Sequence, residues 1–163
     1  MANYLNRPSI FEIATAFEDG NNGYVSKQKK YEGVYNQLND KEKSLSWRHP
    51  FLAMKIKENR EKAFRATYHF KDIEDGYGDA VRHCYWCALN QVSAGLNSPL
   101  AEEFGNAHEN TPTNTEKEKR MDLHNNAVGY HLGNQAIING WSEEELLNQV
   151  IDAANNGKLK IGL

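Results

Sequence analysis

Helix-start signatures recur along this chain and set its fold class. Ser9 with Glu12, Thr115 with Glu118 and Ser142 with Glu145 each place a hydroxyl three residues ahead of a carboxylate. In that spacing the hydroxyl accepts the N3 backbone N–H, while the carboxylate accepts the N-cap backbone N–H. Ser98 before Pro99 fits an N-cap with a first-turn proline, where no N–H is needed. Gly20, Gly95, Gly140 and Gly157 stand where these helices should stop. No two period-2 apolar runs are joined by a hairpin turn. The expected fold is all-α, a single-domain bundle of six or seven helices over 1–163, with loops near 20–23, 70–77 and 109–114. Variable N-terminal helices fall within 1–72, and the motif-bearing helices within 75–139. Segment 24–48 should supply one or two helices. A basic helix is predicted over 50–69, with Phe51, Met54, Phe64 and Tyr68 on its buried side.

The chain has 163 residues, enough for one sizeable core. Its net charge of −3 is unevenly spread. Residues 1–72 carry 13 Lys+Arg against 9 Asp+Glu, and residues 73–163 carry 6 against 13. The basic half either meets an anionic surface or is a solvated lysine-rich helix. The acidic half argues against a nucleic-acid partner unless a metal offsets its charge. No stretch approaches the roughly 20 apolar residues of a membrane span. The N-terminal MANYLNRPSIFEI lacks the apolar run of a signal peptide. The expectation is a protein made in the cytoplasm and, if it acts elsewhere, exported by a specialised system or released by lysis.

Two cysteines build no disulfide framework. Cys84 and Cys87 form a CxxC, but it falls inside a predicted helix rather than at the helix start where a thiol pKa is lowered. No second CxxC offers a zinc partner. Packing is favoured over redox or metal work.

A polar stripe shares that helix. At ~100° per residue, with Asp79 at zero, Arg82 stands at ~300°, His83 at ~40°, Trp86 at ~340° and Asn90 at ~20°. Cys84, at ~140°, points elsewhere. In DLHNNAVGYHLG, Asp122, Asn125, Asn126, Gly129 and Gly133 repeat the same offsets. Mid-helix glycines cost ~1 kcal/mol each relative to alanine, which suggests close approach of another helix. Trp86 packing over Gly129 would set the two stripes face to face beneath an aromatic lid. Such groups form a mutual network, bind a metal or line a cleft, because a buried unsatisfied polar group costs on the order of 1–3 kcal/mol. Asp79 would then be a first-turn carboxylate, with Arg82 paired to Asp122, on the purely structural reading. His108 and Glu109 fall at a helix end beside a loop, where a scaffold positions them within reach of substrate. His83, His108, Glu109, Asp79 and Asp122 suit a general base oriented by an acid, or a metal held by nitrogen and oxygen. His124 and His131 lie on the opposite side of their helix and read as surface or core residues.

DGYGDAVRHCYWCALN, FGNAHEN and MDLHNNAVGYHLG together resemble a family of small bacterial all-helical domains of unknown function. Its signature is D-A-x-R-H-x-x-W, then A-H-E, then M-D-x-x-N-N-x-x-G. The resemblance spans about residues 75–133, and residues 1–70 find no counterpart in it. It implies a secreted or toxin-like context and a hydrolase-like activity.

Three functions follow as expectations. The first is an effector- or toxin-type hydrolase acting on a cell-envelope substrate, phospholipid or peptidoglycan. Its catalytic set is His83, Asp79, Arg82, His108, Glu109 and Asp122. Asn125, Asn126, Trp86 and Asn90 would position substrate. His83, His108, Glu109 and Asp122 would hold a divalent metal, zinc or calcium. An immunity or delivery-system protein is the expected partner. The second is a non-catalytic binding protein whose stripes are a structural network. The third is a metal-dependent nuclease.

Overall fold

A computed structural model describes residues 38–70, 76–109 and 115–162. Six helices account for most of these residues, and no strand occurs among them. The fold is all-α. The Ser9–Glu12 signature, the Gly20 stop and the loop near 20–23 lie outside the described residues, as do most of 24–48 and of the loops near 70–77 and 109–114. The chain divides into two compact units, Met1–Ala53 and Met54–Leu163.

In the first unit, α1 spans Asp40–Arg48. Asn39 accepts from the Glu42 N–H at 3.0 Å, and the Glu42 carboxylate accepts from the Asn39 N–H at 2.8 Å. This is a capping box built on asparagine instead of serine or threonine. Leu45 and Ser46 are buried.

The boundary between the units falls within α2, Pro50–Thr67. The buried side of α2 differs from the sequence expectation. Tyr68, Phe64 and Phe51 are 78%, 46% and 56% exposed, whereas Ile56, Asn59, Ala63 and Thr67 are buried. Those four stand at i, i+3, i+7 and i+11, one helical stripe. Asn59 bonds Asn90 and Ser93, and the Thr67 hydroxyl donates to the Ala63 carbonyl at 2.8 Å. One isoleucine, one alanine and two hydrogen-bonded polar residues therefore occupy the inner face, and the larger aromatic rings are left outside.

Helix α3, Tyr77–Ala94, is the centre of the second unit. Eight consecutive residues, Cys84–Gln91, are buried, as expected of a helix covered on every side. Helix α4 spans Pro99–His108, α5 Glu116–Asn139 and α6 Glu143–Asn155. Helix α3 packs most extensively on α5, then on α6 and α4. The Thr115–Glu118 and Ser142–Glu145 capping boxes form as the sequence predicts. Gly140 closes α5 in the left-handed region, at φ 67°. Ser98 begins α4 ahead of Pro99, though without a side-chain cap bond.

The glycines of α5 fix how α3 and α5 meet. A Cβ at Gly129 would fall on the Cys84 carbonyl oxygen and 2.9 Å from Cys87 Cβ. A Cβ at Gly133 would fall 2.5 Å from the Ala88 carbonyl oxygen and 2.6 Å from Gln91 Cβ. Later residues of one helix meet later residues of the other, so the two run in the same direction. The close approach inferred from the glycines is present, but its partner is the Cys84–Cys87–Ala88 face of α3. Trp86 packs elsewhere: its indole N–H donates to the Ile56 carbonyl at 3.1 Å, and its ring lies edge-on to His108 at 5.1 Å.

Candidate metal and acid–base site

The two polar stripes converge where α3 and α5 begin. Asp79, His83 and Asp122 each offer a ligand atom, and the three atoms lie within 4.8 Å of one another. Both aspartates are buried and His83 is half-buried. One turn of α3 brings Asp79 and His83 to the same side, and the glycine-mediated approach of α5 brings Asp122 against them. This trio could hold a metal ion. Of the ligands expected from sequence it contains His83 and Asp122, and it takes Asp79 where His108 and Glu109 had been expected.

Glu109 and His108 take other places. His83 Nδ1 is 3.7 Å from Glu109 Oε1, and His83 Nε2 is 3.5 Å from Asp79 Oδ1. The imidazole thus lies between two carboxylates. Glu109 is 2% exposed, and the same Oε1 accepts from Asn126 Nδ2 at 3.0 Å. Arg82 pairs with Asp79 on its own helix, and its guanidinium lies 4.7 Å from the Phe64 ring centroid.

A pocket of about 160 Å³ opens on this cluster between Arg60, Phe64, Arg82, His83, Trp86 and His108. Burial, together with the nearby His108, Arg82 and Arg60, holds the His83 pKa down at about 3. These effects outweigh the two carboxylates, so His83 is neutral at pH 7. A neutral imidazole has a lone pair for a proton or a metal.

The remaining predicted residues lie apart from this cluster. Asn125 holds the C-terminal segment: its Nδ2 donates to the Lys160 carbonyl at 3.0 Å and its Oδ1 accepts the Lys160 N–H at 2.9 Å. His124 meets the Lys158 carbonyl at 2.9 Å. Asn90 is buried and accepts from Asn59 at 3.0 Å. The upper α3 stripe, Trp86 and Asn90, therefore faces α2, while the lower part faces α5. Both cysteines are unpaired and buried, and burial pushes Cys84 up to about 12 and Cys87 well above its usual range. The CxxC is a packing face for Gly129.

Sequence reasoning missed Arg60 and placed Phe64 in the core. Their i, i+4 spacing is common on exposed helices and carries no motif. Only the fold shows that both border the pocket.

The chain belongs to the family described as Domain of unknown function (DUF6973), which matches residues 43–158. The match extends well beyond the three motifs, into residues for which sequence inspection found no counterpart. No curated protein and no solved structure matches the chain. Among the described residues, no helix is long and apolar enough to cross a membrane.

Proposed function

We propose that this chain is a metal-dependent hydrolase of effector or toxin type, acting on a cell-envelope substrate, phospholipid or peptidoglycan. The observation that carries the hydrolase reading is the Asp79–His83–Asp122 trio, with His83 also bordering the pocket. The effector setting and the envelope substrate rest on the resemblance of the three motifs. Export by a specialised system, with an immunity or delivery partner, belongs to the same proposal and rests on the same resemblance.

Zinc suits the donor set better than calcium. Calcium takes six to eight oxygen ligands, whereas zinc accepts imidazole nitrogen beside carboxylate oxygen. His83 Nε2 and Asp79 Oδ1, 3.5 Å apart, are near enough for one ion to take both. Glu109 on the far imidazole nitrogen would orient the ligand, as a carboxylate behind a metal-bound histidine does. Asp79, His83 and Asp122 would hold the ion, which would supply a water acidic enough to ionise near neutrality. Hydrolysis would add one water across the scissile bond, its oxygen going to the electrophilic centre and one proton to the leaving oxygen. His108, on the pocket wall, would carry that proton to the leaving oxygen. Arg82 would stabilise the negative charge that develops.

Metal analysis of protein purified without chelator tests this, with thermal melts beside it. About one zinc per chain is expected, lost in His83→Ala and Asp122→Asn while both stay folded. Chelation should abolish ester hydrolysis and zinc restore it. A metal-free wild type whose His83→Ala melt falls sharply would favour the binding-protein reading, with the stripes as a structural network.

A further inference from the structure

The pocket beside His83 carries a more specific assignment. Arg60 from α2 and Arg82 from α3 both approach the Phe64 ring, with guanidinium carbons 5.4 and 4.7 Å from its centroid. Stacking on an aromatic face suits the weakly hydrated guanidinium and holds its plane. The pairing of Arg82 with Asp79 fixes that side chain further. The pocket is also bordered by His83, His108, Trp86 and Ala63, and among the described residues no carboxylate lines it. Asp79 and Glu109 lie against His83, and Asp79 also pairs with Arg82, but neither carboxylate lines the pocket. Arg82 keeps Asp79 as a partner, and a guanidinium has five N–H donors, so the two arginines still give the pocket a cationic lining.

We propose that this pocket binds the phosphate group of an organic phosphate ester. Arg60 and Arg82 supply the forks, while Phe64 and Trp86 form the wall for the esterified group. That this ester is the substrate rests on the hydrolase reading; the binding itself does not. Phosphate is preferred to carboxylate for a geometric reason. One guanidinium uses both oxygens of a carboxylate, whereas a phosphate group has enough oxygens for two forks. The pocket is about tenfold larger than the roughly 10–15 Å³ that one water requires, so a phosphate and part of its ester fit together. The sequence shows neither residue as a pair with Arg82, because Arg60 and Phe64 come from a helix without a motif.

The test measures binding of phenyl phosphate and benzoate by calorimetry, for wild type, Arg60→Gln and Phe64→Ala, each checked for fold by circular dichroism. Phenyl phosphate should bind wild type at least 10-fold tighter than benzoate, and weaken as salt rises. Arg60→Gln should weaken it by about 10- to 100-fold, and Phe64→Ala should weaken phenyl phosphate more than inorganic phosphate. Equal affinity for benzoate, or an Arg60→Gln variant that binds like wild type, overturns the assignment. Co-sedimentation with phosphatidylcholine vesicles, with and without phosphatidylglycerol, separates the sources. Capture that needs phosphatidylglycerol and Arg60 supports a lipid headgroup. Phenyl phosphate binding without capture supports a soluble ester. Phosphate binding with no turnover of any ester would remove the hydrolase reading and leave this pocket standing. Turnover of a neutral ester with no phosphate binding would do the reverse.

Discussion

Asn126 donates its side-chain amide to Glu109 at 3.0 Å, and the accepting oxygen is the one that lies 3.7 Å from His83 Nδ1. A residue of α5 therefore holds the carboxylate at the end of α4 that faces the imidazole of α3. Both members of the pair are buried. Replacing Asn126 by alanine withdraws the donor from a buried carboxylate, which should cost about 1–3 kcal/mol in chemical denaturation. If zinc is bound as proposed, its affinity should also fall about 10- to 100-fold, as when the partner behind a metal-bound histidine is lost. Asn126→Ala with wild-type stability and metal affinity would show that the Glu109 contact orients nothing.

The two α5 glycines should resist substitution although they stand mid-helix. Alanine would gain about 1 kcal/mol in helix propensity at each position. Against this, the new Cβ meets backbone of α3 at Cys84 or Ala88, which cannot swing aside. Overpacking of this kind costs about 1–3 kcal/mol or more. Gly129→Ala and Gly133→Ala should therefore both lower the denaturation midpoint. A raised midpoint in either would mean that the helices can separate without loss.

Cys84 and Cys87 should be inert. Both are buried, and burial raises both thiol pKa values, Cys84 to about 12. The thiolate is the reactive form, so native protein should not react with a thiol reagent at pH 8 until it is unfolded. Cys84→Ala should keep its metal content and any hydrolytic activity while losing stability through the cavity left behind. Rapid labelling of the native protein would reopen the redox reading.

Stability should fall as the solution is acidified below pH 6.5. His83 has a pKa of about 3 in the fold, against roughly 6.5 for an unfolded histidine. Between those values the unfolded chain binds a proton that the folded chain does not. The contribution is fully present above pH 6.5 and is lost as pH falls, with a slope of up to about 1.4 kcal/mol per unit. Denaturant titrations from pH 6.5 to 5 should show this slope in wild type and a flatter one in His83→Gln. A stability that rises on acidification would mean that Asp79 and Glu109 govern the imidazole instead of burial and the neighbouring cations.

The helices were legible in the sequence because their signals are local. A capping box involves four adjacent residues, and Thr115–Glu118 and Ser142–Glu145 form as written. The Asn39–Glu42 box was passed over, since asparagine caps as serine does but stands out less among turn residues. The meeting of α3 with α5 was legible at the level of height along the axis, since equal offsets from Asp79 and Asp122 do match. Its rotation was not. The offsets place Trp86 opposite Gly129, whereas the small Cys84–Cys87–Ala88 face takes that position. On α2, aromatic size suggested burial of Phe64 and Tyr68, and the hydrogen bonds of Asn59 turned them outward.

By itself the sequence determined the five helices α2 to α6 and the presence of a carboxylate–histidine–amide set on α3, α4 and α5, because caps and helical periodicity act within a few residues. Tertiary structure alone decided which members of that set touch. It joined Asp79, His83 and Asp122, put Glu109 behind the imidazole, gave Asn125 to the C-terminal segment, and brought Arg60 and Phe64 to the pocket. The physical reason is that the rotation of one helix about another is set by steric fit between whole faces, where glycines and small side chains let backbones approach. No local signal in the chain records that choice.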